Sequence, residues 1–193
     1  MRRVLHGEDA VRRLRLRLSV STAAGSALDR PLIRLADLTG PDAIEVGAAV
    51  RAYLQQTELE KSLQEHGTAP DPVPPLPERY LREVEDPAAA YAAHQVRVAL
   101  LDERVVGVVV LSVRDEVAEV KRLWADPAAR GRGVGSALLD AALDDAAALG
   151  AVQVRLSAWD WREGAVLLYE SRSFERVPSW DDRDRLVCMV RPV

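Results

Sequence analysis

The sequence contains one cysteine, one phenylalanine and three histidines in 193 residues, and aromatic side chains make up only 5% of it. A lone cysteine, Cys188, excludes an intrachain disulfide and points to a reducing compartment, the cytoplasm. Set in the strand-like run LVCMV, it reads as a small buried hydrophobe or, alternatively, a catalytic thiol. The histidines are scattered: His66 and His94 stand alone without ligand spacing, so no metal site is expected. No apolar run approaches the roughly 20 residues that span a bilayer. Positive charge is not in excess either. A formal net charge of -4 and a pI near 5.5 argue against a partner such as nucleic acid or a membrane surface held by bulk electrostatics. Internal repeats and low-complexity arrays are also missing.

What is present suffices for one domain with a substantial core. Hydrophobic residues make up 48% of the chain, and at this length about 70% of the unfolded surface is buried on folding. Residues 1–30 stand apart, with seven arginines against Glu8, Asp9 and Asp29, a balance of +4 that leaves -8 for residues 31–193. Within this arm Leu14, Leu16, Leu18 and Val20 alternate with Arg13, Arg15, Arg17 and Ser19, a period of two that predicts an added strand. An arm that pairs with a sheet edge or a second subunit is the alternative, and it leaves a homodimer open.

From residue 31 onward, PLIRLAD predicts a first strand and residues 42–64 one or two helical segments, with Ile44, Val46, Val50, Tyr53 and Leu54 available for a buried stripe. Residues 67–77 hold five of the eleven prolines, and proline restricts both its own φ and its predecessor, so this is a stiff extended loop. A short helix follows at 78–85. Residues 94–101, 105–113 and 117–125 are three β-rich runs joined by short polar turns, hence antiparallel neighbours. The middle one, VVGVVVLSV, is nearly continuous in apolar residues, as in a strand covered on both faces. A helix at 135–149 ending at Gly150, a strand AVQVRLSA, a helix at 163–171 and two final strands, FERVP and DRLVCMVR, complete an α/β (α+β) pattern.

The segment RGRGVG, residues 130–135, leads straight into the helix SALLDAALDDAAALG. The first turn of a helix has N–H groups without intrahelical partners and the positive end of the macrodipole, which suits a phosphate or pyrophosphate. Gly133 and Gly135 remove side chains that would hold an anion off the backbone, and Arg130 and Arg132 add charge. A plain strand-to-helix turn is the alternative. A P-loop would need Lys directly after the last glycine, where Ser136 stands. A Rossmann fingerprint would need Gly or Ala at Leu138 and an acid at Ala158.

Arg130, Gly133 and Gly135 instead fill the acetyl-CoA motif of the GCN5-related N-acetyltransferase (GNAT) family, which this segment resembles. AEVKRLWADPAARGRGVGSALLDAAL is similar to that family's fourth strand and third helix, and AVLLYESRSF to its fourth helix, with Ser173 in place of the usual Gly. The resemblance covers residues 94–177, is weaker over 31–93, and implies a mixed, mostly antiparallel central sheet flanked by helices. It implies acetyl-CoA as cofactor, held by Leu123, Trp124 and Ala125 at the end of the fourth strand, by Arg130, Gly131, Arg132, Gly133, Val134, Gly135 and Ser136, and by Arg162. The family's Asn contact is missing, and Arg162 ahead of Ala165 either reaches a phosphate or is solvated.

The resemblance further implies that Glu119 is the base and Tyr169 the general acid of acyl transfer. A phenol is a suitable proton donor to a thiolate. Structural roles are the alternatives: Glu119 pairing with Lys121 or Arg122, and Tyr169 packing beneath Phe174. With Leu123, Lys121 is expected on the same strand face as Glu119. The 67–77 loop, Tyr80, Trp180, Asp181 and Asp182 fall where the family binds its acceptor. An aromatic plate with carboxylates would favour a cationic small-molecule amine, although core packing accounts for most tryptophans. A peptide amine, either a protein N-terminus or a lysine, and a non-catalytic acyl-CoA-binding or sensing module are the other readings.

Overall fold

Three strands linked by tight hairpins form the first half of a seven-stranded sheet. The computed structural model describes residues 30–193, so the strand expected at 11–20 lies outside the described residues. β2 (Gln95–Leu101), β3 (Arg104–Arg114) and β4 (Val117–Ala125) follow one another through Asp102-Glu103 and Asp115-Glu116, four residues with φ of 49°, 63°, 48° and 62°. Left-handed residues in pairs make the primed turns whose twist matches that of paired strands. The polar turns of the sequence are therefore antiparallel hairpins, as expected.

β1 (Leu32–Leu35), β5 (Gln153–Trp159), β6 (Glu175–Val177) and β7 (Leu186–Pro192) complete the order β1-β2-β3-β4-β5-β7-β6. Every neighbouring pair is antiparallel except β4 with β5. That one parallel pair requires a crossover, and α4 (Val134–Ala148) supplies it. Gly150, with φ of 77°, follows the helix end and turns the chain back toward β5.

The 42–64 region is one uninterrupted helix, α1 (Asp42–His66). Val46, Val50 and Leu54 recur every four residues and are fully buried against Val96, Val98, Val108 and Val110. Ile44, expected in that stripe, is 83% exposed, because two residues of α-helix turn it about 200° away from Val46. Buried Asp42 ties the start of α1 to the first strand by accepting bonds from Arg34 and from the Asp37 amide. After the 67–77 loop, whose Leu76 is buried, a 3-10 turn (Glu78–Tyr80) runs into α2 (Leu81–Glu85). A further turn, α3 (Pro87–Ala90), was not expected, although Asp86 before Pro87 is a cap signal and its side chain accepts from the Ala89 amide at 3.0 Å.

β3 is covered on both faces, which explains its continuous apolar run. Val108 and Val110 face α1, whereas Val109 and Leu111 face α4, where Leu138, Leu139 and Ala142 pack beside Val120, Leu156 and Met189. α5 (Glu163–Glu170) joins this second core through Val166 and Tyr169. Residues 31–193 form one compact unit.

The first turns of α4 press on the sheet at Gly107. A β-carbon there would lie 2.7 Å from Val134 Cγ1, 2.9 Å from Leu138 Cδ1 and 2.9 Å from the Trp124 carbonyl oxygen, contacts too short for either side chain or backbone to accept without moving. Gly107→Ala is therefore expected to cost about 1–3 kcal/mol through overpacking. Each kcal/mol lowers the melting temperature of a domain this size by roughly 2–4 °C. A thermal melt of the variant that matches the parent would show that α4 is free to lift off β3.

Candidate cofactor and acceptor site

The parallel pair at the centre of the sheet opens. β4 and β5 share only the positions Val117 with Gln153, Ala118 with Val154 and Glu119 with Arg155. Beyond Glu119, β4 stays paired with β3 as far as Ala125, and beyond Arg155, β5 stays paired with β7 as far as Trp159. Residues 120–125 thus present a strand edge that is not laddered to β5. Leu123, Trp124 and Ala125, the strand residues expected to contact cofactor, lie on this edge.

A bulge in β4 rearranges its faces at the same place. Val108 pairs with Trp124 and Val110 with Lys121, so one residue of β3 opposes two of β4, and Arg122 takes φ of 53°. An extra residue in one strand flips every side chain after it. Lys121 shares the face of Glu119 as expected, its Nζ 3.6 Å from Glu119 Oε1. The expectation for Leu123 is corrected: it turns to the α4 side and packs in that core, while Trp124 turns toward α1. The signal was legible, because Lys121 and Arg122 are adjacent cations where a strict period of two requires an apolar residue.

At the open end of the divergence stands the glycine turn. Gly131 and Gly133 have φ of 76° and 75°, and a β-carbon on either would meet nothing within 4 Å. Both conformations are unfavourable for other residues, and the space beside them is open. Gly133 is the N-cap of α4 and no side chain caps the helix, so the amides of Val134, Gly135 and Ser136 keep the unpaired donors of a first helical turn. The first backbone bond into the helix is from Ala137 to the Gly133 carbonyl, at 2.9 Å. Arg130 is exposed beside it, Arg132 half-buried. Gly135 is close-packed rather than open, for its β-carbon would touch Leu168 of α5 at 3.6 Å.

On the α1 face, Glu119 sits at the apex where the strands part. Its Oε2 accepts from Arg155 Nη2 at 2.9 Å while Oε1 faces Lys121, so one carboxylate is shared by two cations. Arg155 is the partner that sequence reading missed, because nothing in the sequence aligns β5 with β4. Arg122, the other expected partner, instead donates to Glu83 of α2 with both Nε and Nη2, at 2.7 and 2.6 Å. Tyr91 also donates to Glu83, at 2.7 Å, and the rings of Tyr53 and Tyr80 lie 5.8 and 5.5 Å from the Arg122 guanidinium. Tyr80, expected near the acceptor, is therefore a wall of this half-buried cluster, and it ends the proline-rich loop.

Tyr169 is buried in the α4-side core, edge-on to Phe174 with ring centroids 6.0 Å apart. Burial drives its phenol well above the ordinary tyrosine range, the nearby Tyr53 raises it further, and Arg162 lowers it. Its hydroxyl is therefore a weaker acid than a free phenol and lies within electrostatic reach of Tyr53 and Arg162. Arg162, read as a phosphate ligand or a solvated residue, has other bonds: Nε donates to Glu60 at 2.7 Å and Nη2 to Thr57 at 2.8 Å, tying the start of α5 to α1. Ser173, where the family carries Gly, has φ of 62°, the left-handed conformation glycine would adopt without strain.

Of the acceptor-side residues in the last loop, Trp180 is 43% exposed and its ring stands 5.4 Å from the Arg155 guanidinium. Asp181 is engaged by Arg183 at 2.7 and 2.6 Å, and those bonds hold its carboxyl down at about 2. Asp182 is exposed. Trp159 and Trp161 stack at 4.7 Å and take Lys61, Arg183 and Arg185 onto their faces. Among the described residues, no group of three His, Cys, Asp or Glu could hold a metal ion and no helix is long and apolar enough to cross a membrane.

The model of the acetyltransferase (GNAT) family matches residues 57–174, which is 118 of the 193 residues. No curated protein matches. Solved structures do. An acetyltransferase of the GNAT family from Staphylococcus aureus aligns at 15% identity over 84% of this chain and 98% of its own, with a TM-score of 0.60. The PaiA N-acetyltransferase of Thermoplasma acidophilum, solved with coenzyme A, aligns at 16% identity over 84% and 99%, TM-score 0.60. An acetyltransferase of Bacillus subtilis, also solved with CoA, aligns at 15% over 85% and 99%, TM-score 0.55. At these identities the likeness is one of fold.

The Glu83–Arg122 bond has a pH signature. Burial raises the Glu83 carboxyl, but the bond and charge of Arg122 and the Tyr91 hydroxyl outweigh it and hold the group below its ordinary value. A carboxyl lower in the folded than in the unfolded chain adds stability that is complete above the unfolded value of about 4.3 and is lost as pH falls through the folded one. Melting temperature should therefore fall as pH drops below about 4.3. Glu83→Gln should flatten that acid limb and, at neutral pH, cost roughly 2 kcal/mol by leaving Arg122 short of its charged partner. An unchanged acid limb in the variant would assign the sensitivity to other carboxylates.

Proposed function

The chain belongs to the acetyltransferase (GNAT) family, and from that premise we propose that it moves an acetyl group from acetyl-CoA to the nitrogen of a primary amine. The observation that carries this reading is the pairing of β4 with β5 over three positions only, with an uncapped, glycine-opened helix start at the wide end of the divergence. An extended thioester tail fits a free strand edge, and a diphosphate fits a first helical turn. Two further observations support the fit. Gly131 and Gly133 leave open space where a side chain would obstruct an anion, and the buried Trp124 Nε1 has no hydrogen-bond partner in the structure.

Acetyl-CoA supplies an acyl group already activated as a thioester. What the chain adds is orientation, exclusion of water and the handling of protons. The amides of 133–136, with Arg130 and Arg132 beside them, would hold the diphosphate. Glu119, its carboxylate held between Arg155 and Lys121, would take the proton that the amine gives up as its bond to carbon forms. Tyr169, whose phenol carries its proton at neutral pH as any tyrosine does, would hand that proton to the sulfur as the carbon–sulfur bond breaks, although the burial that raises it also makes it a weaker acid. Arg162 is better suited to fixing α5, and with it Tyr169, against α1 than to binding phosphate, since two of its nitrogens already have acceptors.

Trp180 and Asp182 remain available as acceptor-side groups. The preference for a cationic amine loses the Asp181 carboxylate to Arg183.

Calorimetry with CoA and thiol release over an amine panel test the reading. Gly133→Val adds a β-branched side chain at a left-handed φ and should weaken CoA at least about tenfold, since the anion loses its closest approach to the helix amides. Tyr169→Phe should lower kcat by about a hundredfold with little change in the KM for acetyl-CoA. Tight CoA binding with no thiol release on any amine would leave the sensing module as the function.

A further inference from the structure

The charges at the apex do not balance. On the α1 face Lys121, Arg122 and Arg155 stand with Glu83 and Glu119, a surplus of one positive charge. Arg122 is not its source, because both its Nε and Nη2 bond to Glu83. The surplus lies on the two residues that share Glu119. Lys121 Nζ stands 3.6 Å from Glu119 Oε1, outside the 2.7–3.2 Å of an N–H···O bond. Arg155 gives Glu119 its Nη2, while its Nε is buried and has no hydrogen-bond partner. Each side chain is 41% exposed, so both are reachable from outside. Trp180 stands over the Arg155 guanidinium at 5.4 Å, a cation–π contact that helps fix the plane of the guanidinium. Of the two acids that follow Trp180, Asp181 is occupied by Arg183, and Asp182 is exposed and forms no ion pair with Lys121 or Arg155.

We propose that the acceptor amine carries a carboxylate, and that Lys121 and Arg155 beneath Trp180 bind it. The substrate class is then an amino acid or similar zwitterion, whose ammonium faces Glu119 while its carboxylate faces the two cations. Both ends of such a molecule meet the opposite sign, whereas a dication would meet a surplus of its own charge. The proposal rests on the N-acyltransferase reading above and narrows its acceptor.

Two measurements keep the two readings apart. The first is thiol release with acetyl-CoA over α-amino acids, their carboxamides and simple diamines. The second is calorimetric titration of the CoA-loaded protein with N-acetyl amino acids and with their amides, which needs no turnover. The proposal expects at least a tenfold preference in kcat/KM for a free carboxylate over its amide, and the same preference in binding. Lys121→Met and Arg155→Met, made separately in case one fails to fold, should each erase most of that preference in kcat/KM and in binding while CoA binding holds. Turnover that treats acids and amides alike, or favours diamines, overturns the anion site and leaves the acyltransferase. Carboxylate binding that depends on Lys121, with no turnover of any amine, upholds the site and removes the acyltransferase. If neither acid nor amide binds, the site is refuted.

Discussion

Three pairs of residues join the two halves of the sheet, and the geometry of the site follows from their being only three. β4 is committed to β3 on one side and β5 to β7 on the other. Each strand therefore keeps its own course after residues 119 and 155, and the seam between them opens. A longer ladder would have satisfied more backbone groups and closed the site. The cost of leaving a strand edge unladdered is offset by a core on each face, both of which contact β3. The α4 crossover then delivers its N-terminus to the open end because a parallel pair requires a connection of that length.

The bulge at Arg122 matters second. By inserting one residue it lets Lys121, Arg122 and Trp124 all leave the α4 core, so that four positions of β4, counting Glu119, serve the α1 face. The strain of a left-handed arginine is sustained by two bonds to Glu83, which is itself held by Tyr91. Across the seam the same economy recurs, with Arg162 fastening α5 to Thr57 and Glu60. The helices α1 and α5, which pack in different cores, are thereby connected by an arginine–carboxylate bond. Electrostatics here fix geometry more than they add net stability, since desolvation offsets much of the attraction between partly buried charges even though removing one partner is costly.

Much of this was legible in the sequence, and what was not has physical causes. Local signals carried the hairpins, the glycine turn and the continuous burial of β3, because turn chemistry and period are properties of neighbouring residues. Apolar character alone puts Ile44 in the buried stripe, and its phase on the helix takes it out. Leu123 was assigned to the wrong face because alternation was extended through a bulge that the KR pair signalled. The partners of Glu119, Arg122 and Arg162 lie 36, 39 and 102 residues away in sequence. No spacing rule reaches that far, and only the paired register of β4 with β5 makes Arg155 a neighbour of Glu119. For Asp181 the reverse holds: its partner is two residues on, and a carboxylate that close to an arginine in a short loop pairs locally.

Cys188 lies in β7 between β5 and β6, 1% exposed, with Ser179 Oγ 3.5 Å from its sulfur. It is the only cysteine in the sequence. Thiol-directed reagents consequently have a single target per molecule, and one they reach only when this end of the sheet comes apart. The labelling rate of the native protein would thus count the excursions of β6 and β7 away from their neighbours, giving an intrinsic gauge of local opening without any engineered probe.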